Sequence, residues 1–249
     1  RWAALFKGRE VNFLYLSKSE LIGFWGNSIF PLRIGELIRI HYAKRLTRRS
    51  YAEVVGTVFL ERMIDIIMIT PFLIFIYYLF PMDLINSKIK FILACFLIIM
   101  FIFILVKYLF VSFRKRILSQ IDKGLLAEVL RKKNIILFYS ILIWGLVLAD
   151  VYLVQLSMNL DISFIDCIYV MLIATIVYSI PSSPGTIGTF HLAIQEFMTA
   201  YLDQSIHASQ VFAFILHAHS YLFFIIVGTF YFLFDSKEIM SFRENNEIY

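Results

Sequence analysis

Charged residues stand in this chain where charge is costly. Residues 27 to 65 read Asn27-Ser-Ile-Phe-Pro31-Leu-Arg33-Ile-Gly35-Glu36-Leu-Ile-Arg39, pass through a basic turn, and reach Glu61-Arg62-Met-Ile-Asp65. The flanking segments are among the most apolar in the sequence. A charge at a bilayer centre costs about 3 kcal/mol on insertion scales, so such residues usually face a protein interior or a wet cavity. Glu36 and Arg39 are three apart, as are Arg62 and Asp65, and Glu61 and Asp65 are four apart. On a helix the last three share roughly one face. Both signs occur together beside a helix broken at Pro31 and Gly35, an arrangement suited to holding a polar head group inside a membrane. Arg33 and Arg39 offer planar forks that donate paired bonds to a phosphate. Glu36, Glu61 and Asp65 would compensate charge or meet a cationic group. The plainer reading of the same residues is a set of salt bridges fixing helix orientation.

A second break follows in the other half: Pro181-Ser-Ser-Pro184-Gly185-Thr-Ile-Gly188-Thr, with two prolines and two glycines in eight residues. Proline ends helices and glycine admits special backbone angles. The helix N-terminus after it, at about Thr189, would add positive dipole character for an anion. His191 and Glu196 lie five apart and His217 and His219 two apart, unlike the i, i+4 histidine pairing of zinc ligands. No metal is expected. Cys95 and Cys167 fall within predicted spans, where no disulfide is expected. There is no nucleotide-binding motif, no cofactor is expected, and no catalytic constellation is recognisable. Ser182 or Ser183 near His191, and His191 with Glu196, are the nearest approach to one.

The elements that must position these groups follow from composition. Hydrophobic residues make up 60% and aromatics 17% of the 249 residues, and mean hydropathy is +0.79. A soluble domain of this length cannot bury so much, so the fold class is all-α, a polytopic integral membrane protein. The apolar runs are long and continuous, unlike the short alternating segments of a barrel. The net charge of +5 arises from basic residues clustered in loops beside the spans, the pattern of a cytoplasmic face, and nucleic acid is not an expected partner.

Residues 1 to 18 are basic and amphipathic, with Trp2 and Tyr15 suited to an interface. Ser17-Lys-Ser-Glu20 has capping-box spacing and predicts a helix start. From there to Pro31 is only about 20 Å of helix, short of a hydrocarbon core of about 30 Å. Residues 19 to 42 therefore read as a re-entrant hairpin turning at Pro31 to Gly35. Residues 39 to 49 are a cytoplasmic basic turn, and Ser50-Tyr-Ala-Glu53 opens a long span over about 52 to 80, with a kink expected at Pro71. An outer link at 81 to 88, a span at about 89 to 111, and a basic surface loop at 112 to 134 come next. Further spans are expected at about 135 to 158, holding Asp150, from Ser163 to Pro181, and at about 208 to 234. Residues 181 to 202 form the second short, broken segment. That makes about five full spans plus two re-entrant segments in one domain, 1 to 249. Paired interruptions point to a midplane site in repeat-built transporters, which raises the hypothesis of an inverted repeat. The first residue is Arg, so an upstream part is expected.

Asn27…Pro31-x-Arg33-x-Gly35-Glu36-x-x-Arg39, then Glu61-Arg62-x-x-Asp65, then Pro184-Gly185-x-x-Gly188 resembles the lysylphosphatidylglycerol synthase transmembrane, or flippase-like domain, family. That family includes the membrane half of multiple peptide resistance factors. The resemblance covers nearly the whole chain. It implies a multi-pass protein of a prokaryotic inner or plasma membrane. It also implies a lipid partner with a charged head group, an aminoacylated phospholipid or a polyprenyl-linked carrier, moved between leaflets. Where an acidic residue is expected shortly after the final glycine, this chain has Thr189-Phe190-His191, and the nearest acid is Glu196. The expected head-group residues are thus Asn27, Arg33, Glu36, Arg39, Glu61, Arg62, Asp65, His191 and Glu196, with backbone breaks at Pro31, Gly35, Pro181, Pro184, Gly185 and Gly188. A lipid translocase without covalent chemistry is the leading expectation. The alternatives are a non-catalytic partner of a cell-envelope enzyme and a lipid-modifying membrane enzyme. A homo-oligomer or an envelope-enzyme partner is also expected.

Overall fold

The computed structural model describes residues 1–8, 11–79 and 123–246. The expected span at 89 to 111, its outer link at 81 to 88, and the first part of the basic loop lie outside these residues. The described residues form helices and no strand: a short 3-10 turn at Trp2–Leu5, then α1 (Phe13–Ile29), α2 (Gly35–Thr47), α3 (Tyr51–Leu79), α4 (Lys123–Arg131), α5 (Lys133–Ser157), α6 (Phe164–Ser179), α7 (Thr189–Tyr201) and α8 (Ile206–Asn246). Contacts divide the chain into two compact units, one of Arg1–Glu10 with Ala52–Ile143, the other of Val11–Tyr51 with Trp144–Tyr249.

In the second unit, α1 starts earlier than the Ser17 capping spacing predicts. Asn12 is the N-cap, its side chain accepting from the Leu14 amide at 2.9 Å, and Ser17 and Glu20 lie inside the helix. An amide acceptor at the N-cap satisfies one of the helix's orphan donors, so the upstream cap prevails. The helix ends because Phe30 precedes Pro31, whose ring disfavours the helical region for its neighbour. Phe30 is accordingly extended, at φ −103° and ψ 144°. The chain then passes through Leu32 and Arg33, both at φ 59°, and re-enters a helix at Gly35. This is the expected helical hairpin.

What closes the hairpin is glycine. A Cβ at Gly35 would overlap the Gly23 carbonyl and the Asn27 backbone, and one at Gly23 would lie 2.7 Å from the Arg39 Cβ. In lipid, where tails are as apolar as leucine, such small-residue contacts let backbones approach and hold helices together. The same device docks α1 on α8: a Cβ at Gly228 would overlap the Cβ of Trp25. Trp25 stacks on Phe232 at 4.5 Å between centroids and donates its indole N–H to Thr229 Oγ1 at 2.9 Å.

The second half follows its local signals closely. Ser163 and Asp166 form a full capping box at the start of α6, and Ile180, preceding Pro181, is extended. The break contains a 3-10 turn at Pro184–Thr186, with Gly185 at φ 59°, Thr186 at φ 57° and Gly188 at φ 87°. α7 then has 13 residues. The segment expected as a fourth span is thus a helix of 16 residues, about 24 Å at 1.5 Å per residue. Among the described residues two stretches are long and apolar enough to cross a membrane, Lys133–Ser157 and Ile206–Phe234. α3 has 29 residues but carries Glu61, Arg62 and Asp65, and it continues unbroken through Pro71.

In the first unit, two sequence expectations are corrected. Trp2, read as an interfacial aromatic, is 3% exposed and donates its indole N–H to Thr57 Oγ1 at 3.0 Å. Arg1, read as part of a basic surface, is buried by its own pairing with acids of α3. The basic loop before α5 is likewise helical from Lys123. Within it Glu128 accepts from Arg131 at 2.5 Å and pairs with Lys132 at 2.9 Å. Hydrogen bonds from Lys132 and Arg131 hold the Glu128 carboxyl below the ordinary carboxylate range. A depressed carboxylate contributes above its unfolded pKa of about 4.3, and the contribution is lost as pH falls through the folded value. A carbon-detected NMR titration is expected to show Glu128 protonating below ordinary glutamates, and Lys132→Ala is expected to move it back toward them.

Candidate functional site

The two breaks meet. The Leu32 amide, in the first, donates to the Ser182 carbonyl, in the second, at 3.2 Å. A Cβ at Gly185 would overlap the Tyr221 ring and lie 3.4 Å from the Ser28 carbonyl oxygen, so the second break sits between the end of α1 and α8. The Tyr221 hydroxyl reaches that same carbonyl at 3.5 Å. Non-glycine residues at positive φ are strained conformations that surrounding structure must enforce. Here Leu32, Arg33 and Thr186 all adopt them at one joint.

The first-half charges divide by burial. Arg39 is 3% exposed and is turned into the hairpin, where it pairs with Glu20 at 3.0 Å and Glu36 at 3.8 Å. Arg33 lies 3.6 Å from Glu36, and both side chains are partly exposed. Asn27 Oδ1 is buried against the Gly35 backbone without a hydrogen-bond partner. Arg33 and Glu36 are therefore the partly exposed first-half charges of the hairpin, while Arg39 is buried and pairs within it.

The acids of α3 belong to the first unit, and there Arg1 organises them. Its guanidinium reaches Asp65 at 2.6 Å and Glu61 at 3.1 Å, with Arg1 and Glu61 side chains only 5% and 6% exposed. Arg62 approaches Asp65 at 3.3 Å and Glu61 at 3.8 Å and stays 40% exposed. The shared face predicted for Glu61 and Asp65 is present. Its occupant is a cation from sixty positions upstream, which nothing in the local spacing indicates.

Behind the second break, His191 is the third residue of α7, and its Nδ1 accepts from the Gly188 amide at 3.3 Å, capping the helix. Its ring meets the buried His217 ring edge-on at 4.9 Å, and Phe190 stacks on His217 at 5.0 Å. Glu196 is exposed, and five positions along a helix is about 140° around from His191, so these two do not converge. His219 pairs instead with Asp150 of α5 at 3.0 Å, a partnership the sequence reading missed. Two open apolar grooves accompany these features. One, of about 450 Å³, is lined by His191, Gln195, Gln210, Val211 and Phe214. The other, of about 430 Å³, runs past Trp25, Phe30, Leu37, Ile38, His41, Tyr42 and Phe232. Neither of these two is lined by Arg33, Glu36 or Arg39. Among the described residues no group of three or more His, Cys, Asp or Glu is arranged to hold a metal ion.

Residues 1–228 match the family described as the lysylphosphatidylglycerol synthase TM region. The chain belongs to that family. A UPF0104 membrane protein of Methanocaldococcus jannaschii is 26% identical over 233 residues, covering 89% of this chain and 98% of the relative. A second UPF0104 membrane protein, of Pyrococcus horikoshii, is 24% identical over 228 residues, covering 76% of this chain and 68% of the relative. No solved structure matches. As a member of the lysylphosphatidylglycerol synthase TM-region family the chain is a membrane protein. The matched range takes in both breaks and all the first-half charges.

Proposed function

We propose that this protein is a lipid translocase of a prokaryotic inner or plasma membrane, moving a lipid with a charged head group between leaflets. Arg33 would engage the lipid phosphate and Glu36 would meet or balance a cationic group beside it. The observation that carries the reading is the Leu32–Ser182 hydrogen bond, which joins the two interrupted segments next to Arg33. Irregular backbone at membrane depth is tolerated where it is buried in protein or lines a cavity. A guanidinium on such a joint suits a phosphate better than an ammonium would, because its two parallel donors match two oxygens. Family membership supports the lipid as cargo, since the family description names a phosphatidylglycerol derivative. No covalent step is assigned to the protein.

Arg33→Ala is expected to slow translocation by roughly tenfold or more, about 1.4 kcal/mol at the barrier. The fold should lose no more than about 1 kcal/mol, because the Arg33–Glu36 pair is partly exposed. Dithionite quenching of acyl-labelled phosphatidylglycerol in proteoliposomes measures the first, and thermal unfolding in nanodiscs the second. An unchanged rate in folded Arg33→Ala would remove Arg33 from the site.

A further inference from the structure

The open groove of about 430 Å³ is bounded by α1, α2 and α8, three helices of one compact unit. Its floor is aromatic. Trp25 is buried there, stacked on Phe232 at 4.5 Å and edge-on to Phe30 at 6.3 Å. Its wall is one face of α2: Leu37, Ile38, His41 and Tyr42 fall within about 140° of the helix circumference. Leu37 on that face is 67% exposed. In a membrane protein such a surface meets acyl chains.

Arg45 continues the same face. It stands four residues beyond His41 and three beyond Tyr42, one turn nearer the end of α2, and falls near the middle of that arc. It is exposed and has no ion-pair partner among the described residues. The polar groups beside it are engaged elsewhere. His41 Nδ1 lies 2.7 Å from the Tyr51 hydroxyl, and Lys44 Nζ is 5.2 Å from the centroid of the Tyr51 ring. The hairpin acids Glu20 and Glu36 pair with Arg39, which points into the hairpin. The groove is thus apolar along its length and ends at a cation.

We propose that this groove is a resident binding site for one anionic phospholipid, with an acyl chain against Trp25, Leu37 and Phe232 and the phosphate at Arg45. A lipid molecule has the same gradient, apolar along its chains and charged at one end. An apolar helix from a partner would fill the groove without using the arginine, whereas an anionic phospholipid uses both parts. Basic side chains beside a membrane attract anionic lipid, and the guanidinium fork matches two phosphate oxygens. The site differs from the cargo position proposed at Arg33. Arg33 precedes the other end of α2, and from Gly35 to Arg45 is about 15 Å of helix. A lipid seated here would brace α2 against α8, so the inference goes beyond the translocase reading and stands without it.

The test uses the full chain in phosphatidylcholine nanodiscs doped with phosphatidylglycerol that carries a photoreactive diazirine in its acyl chain. Adducts are mapped by peptide mass spectrometry. They are expected to concentrate at residues 30 to 42 and at Phe232. A phosphatidylcholine probe, or Arg45→Gln with the original probe, is expected to give about fivefold fewer adducts there, the factor for one cation acting on an anionic lipid. Leu37→Trp, which fills the groove from an exposed position, should lower them with thermal unfolding unchanged. Phosphatidylglycerol adducts spread over the lipid-facing helices like those of phosphatidylcholine overturn the site, and this arm needs no variant to fold. Groove adducts equal for both lipids, or undiminished in Arg45→Gln, overturn the assignment to an anionic phospholipid. Arg33→Ala separates this site from the cargo site. Loss of the adducts in Arg33→Ala but not in Arg45→Gln would make the groove lipid the cargo and overturn a resident site. Adducts retained in Arg33→Ala support the resident site, and the transport rate of that variant bears on the translocase reading alone.

Discussion

Gly35→Val is expected to cost about 3 kcal/mol or more of stability and to abolish translocation. The added carbons would occupy space held by the Gly23 carbonyl and the Asn27 backbone, which are parts of a helix rather than flexible side-chain ends. Overpacking usually costs 1–3 kcal/mol because side chains yield; here backbone must move, which places the effect at the upper end. The hairpin would open and carry Arg33 away from its joint with Ser182. Gly145→Ala is the matched control. Gly145 lies inside α5 with nothing within 4 Å of a new Cβ, so alanine there should be neutral or stabilise by up to about 1 kcal/mol. Thermal unfolding of both variants in nanodiscs decides the matter; equal behaviour of the two would show that the glycine contact does not hold the hairpin.

Arg1→Met is expected to be comparably severe, at about 3–5 kcal/mol. Removing one partner of a buried ion pair strands the other, and the stranded charge accounts for most of the loss. Glu61 and Asp65 would then face each other one helical turn apart, with the half-exposed Arg62 beside them. The sharper expectation concerns recovery. Combining Arg1→Met with Glu61→Gln and Asp65→Asn should restore most of the lost stability, since the uncompensated charges go with their partner. A triple variant as unstable as the single one would mean that the Arg1 side chain acts through packing.

Local signals in the sequence foretold the local structure. The helices before Pro31 and Pro181 ended two residues ahead of each proline, Ser163 and Asp166 capped α6, and Pro184 to Gly188 made a tight turn with positive φ at Gly185, Thr186 and Gly188. The errors were of another kind. Asn12 lay upstream of the more familiar Ser17 spacing, and its side chain accepts from the Leu14 amide in the first turn. Trp2 looked interfacial because tryptophan commonly is, whereas the acceptor that buries it, Thr57, is fifty-five residues away. The same distance problem hid the Arg1 pairing and the Asp150–His219 pair. Spacing rules see one helix at a time, and these contacts join different ones. The capping contact of His191 was hidden differently: an imidazole at the third helical position can cap a helix, but acids and amides do so more often.

Leu32 and Arg33, side by side at left-handed angles, bear on how this protein can be hardened for biochemical work. Each forfeits about 1–2 kcal/mol that glycine would not, so a stabilisation campaign scored on melting temperature alone will select glycine at both positions. It would reward loss of the guanidinium that the transport assay is meant to probe. Screening libraries at this corner therefore have to be sorted on cargo movement first, with heat resistance gathered from remote sites such as Gly145.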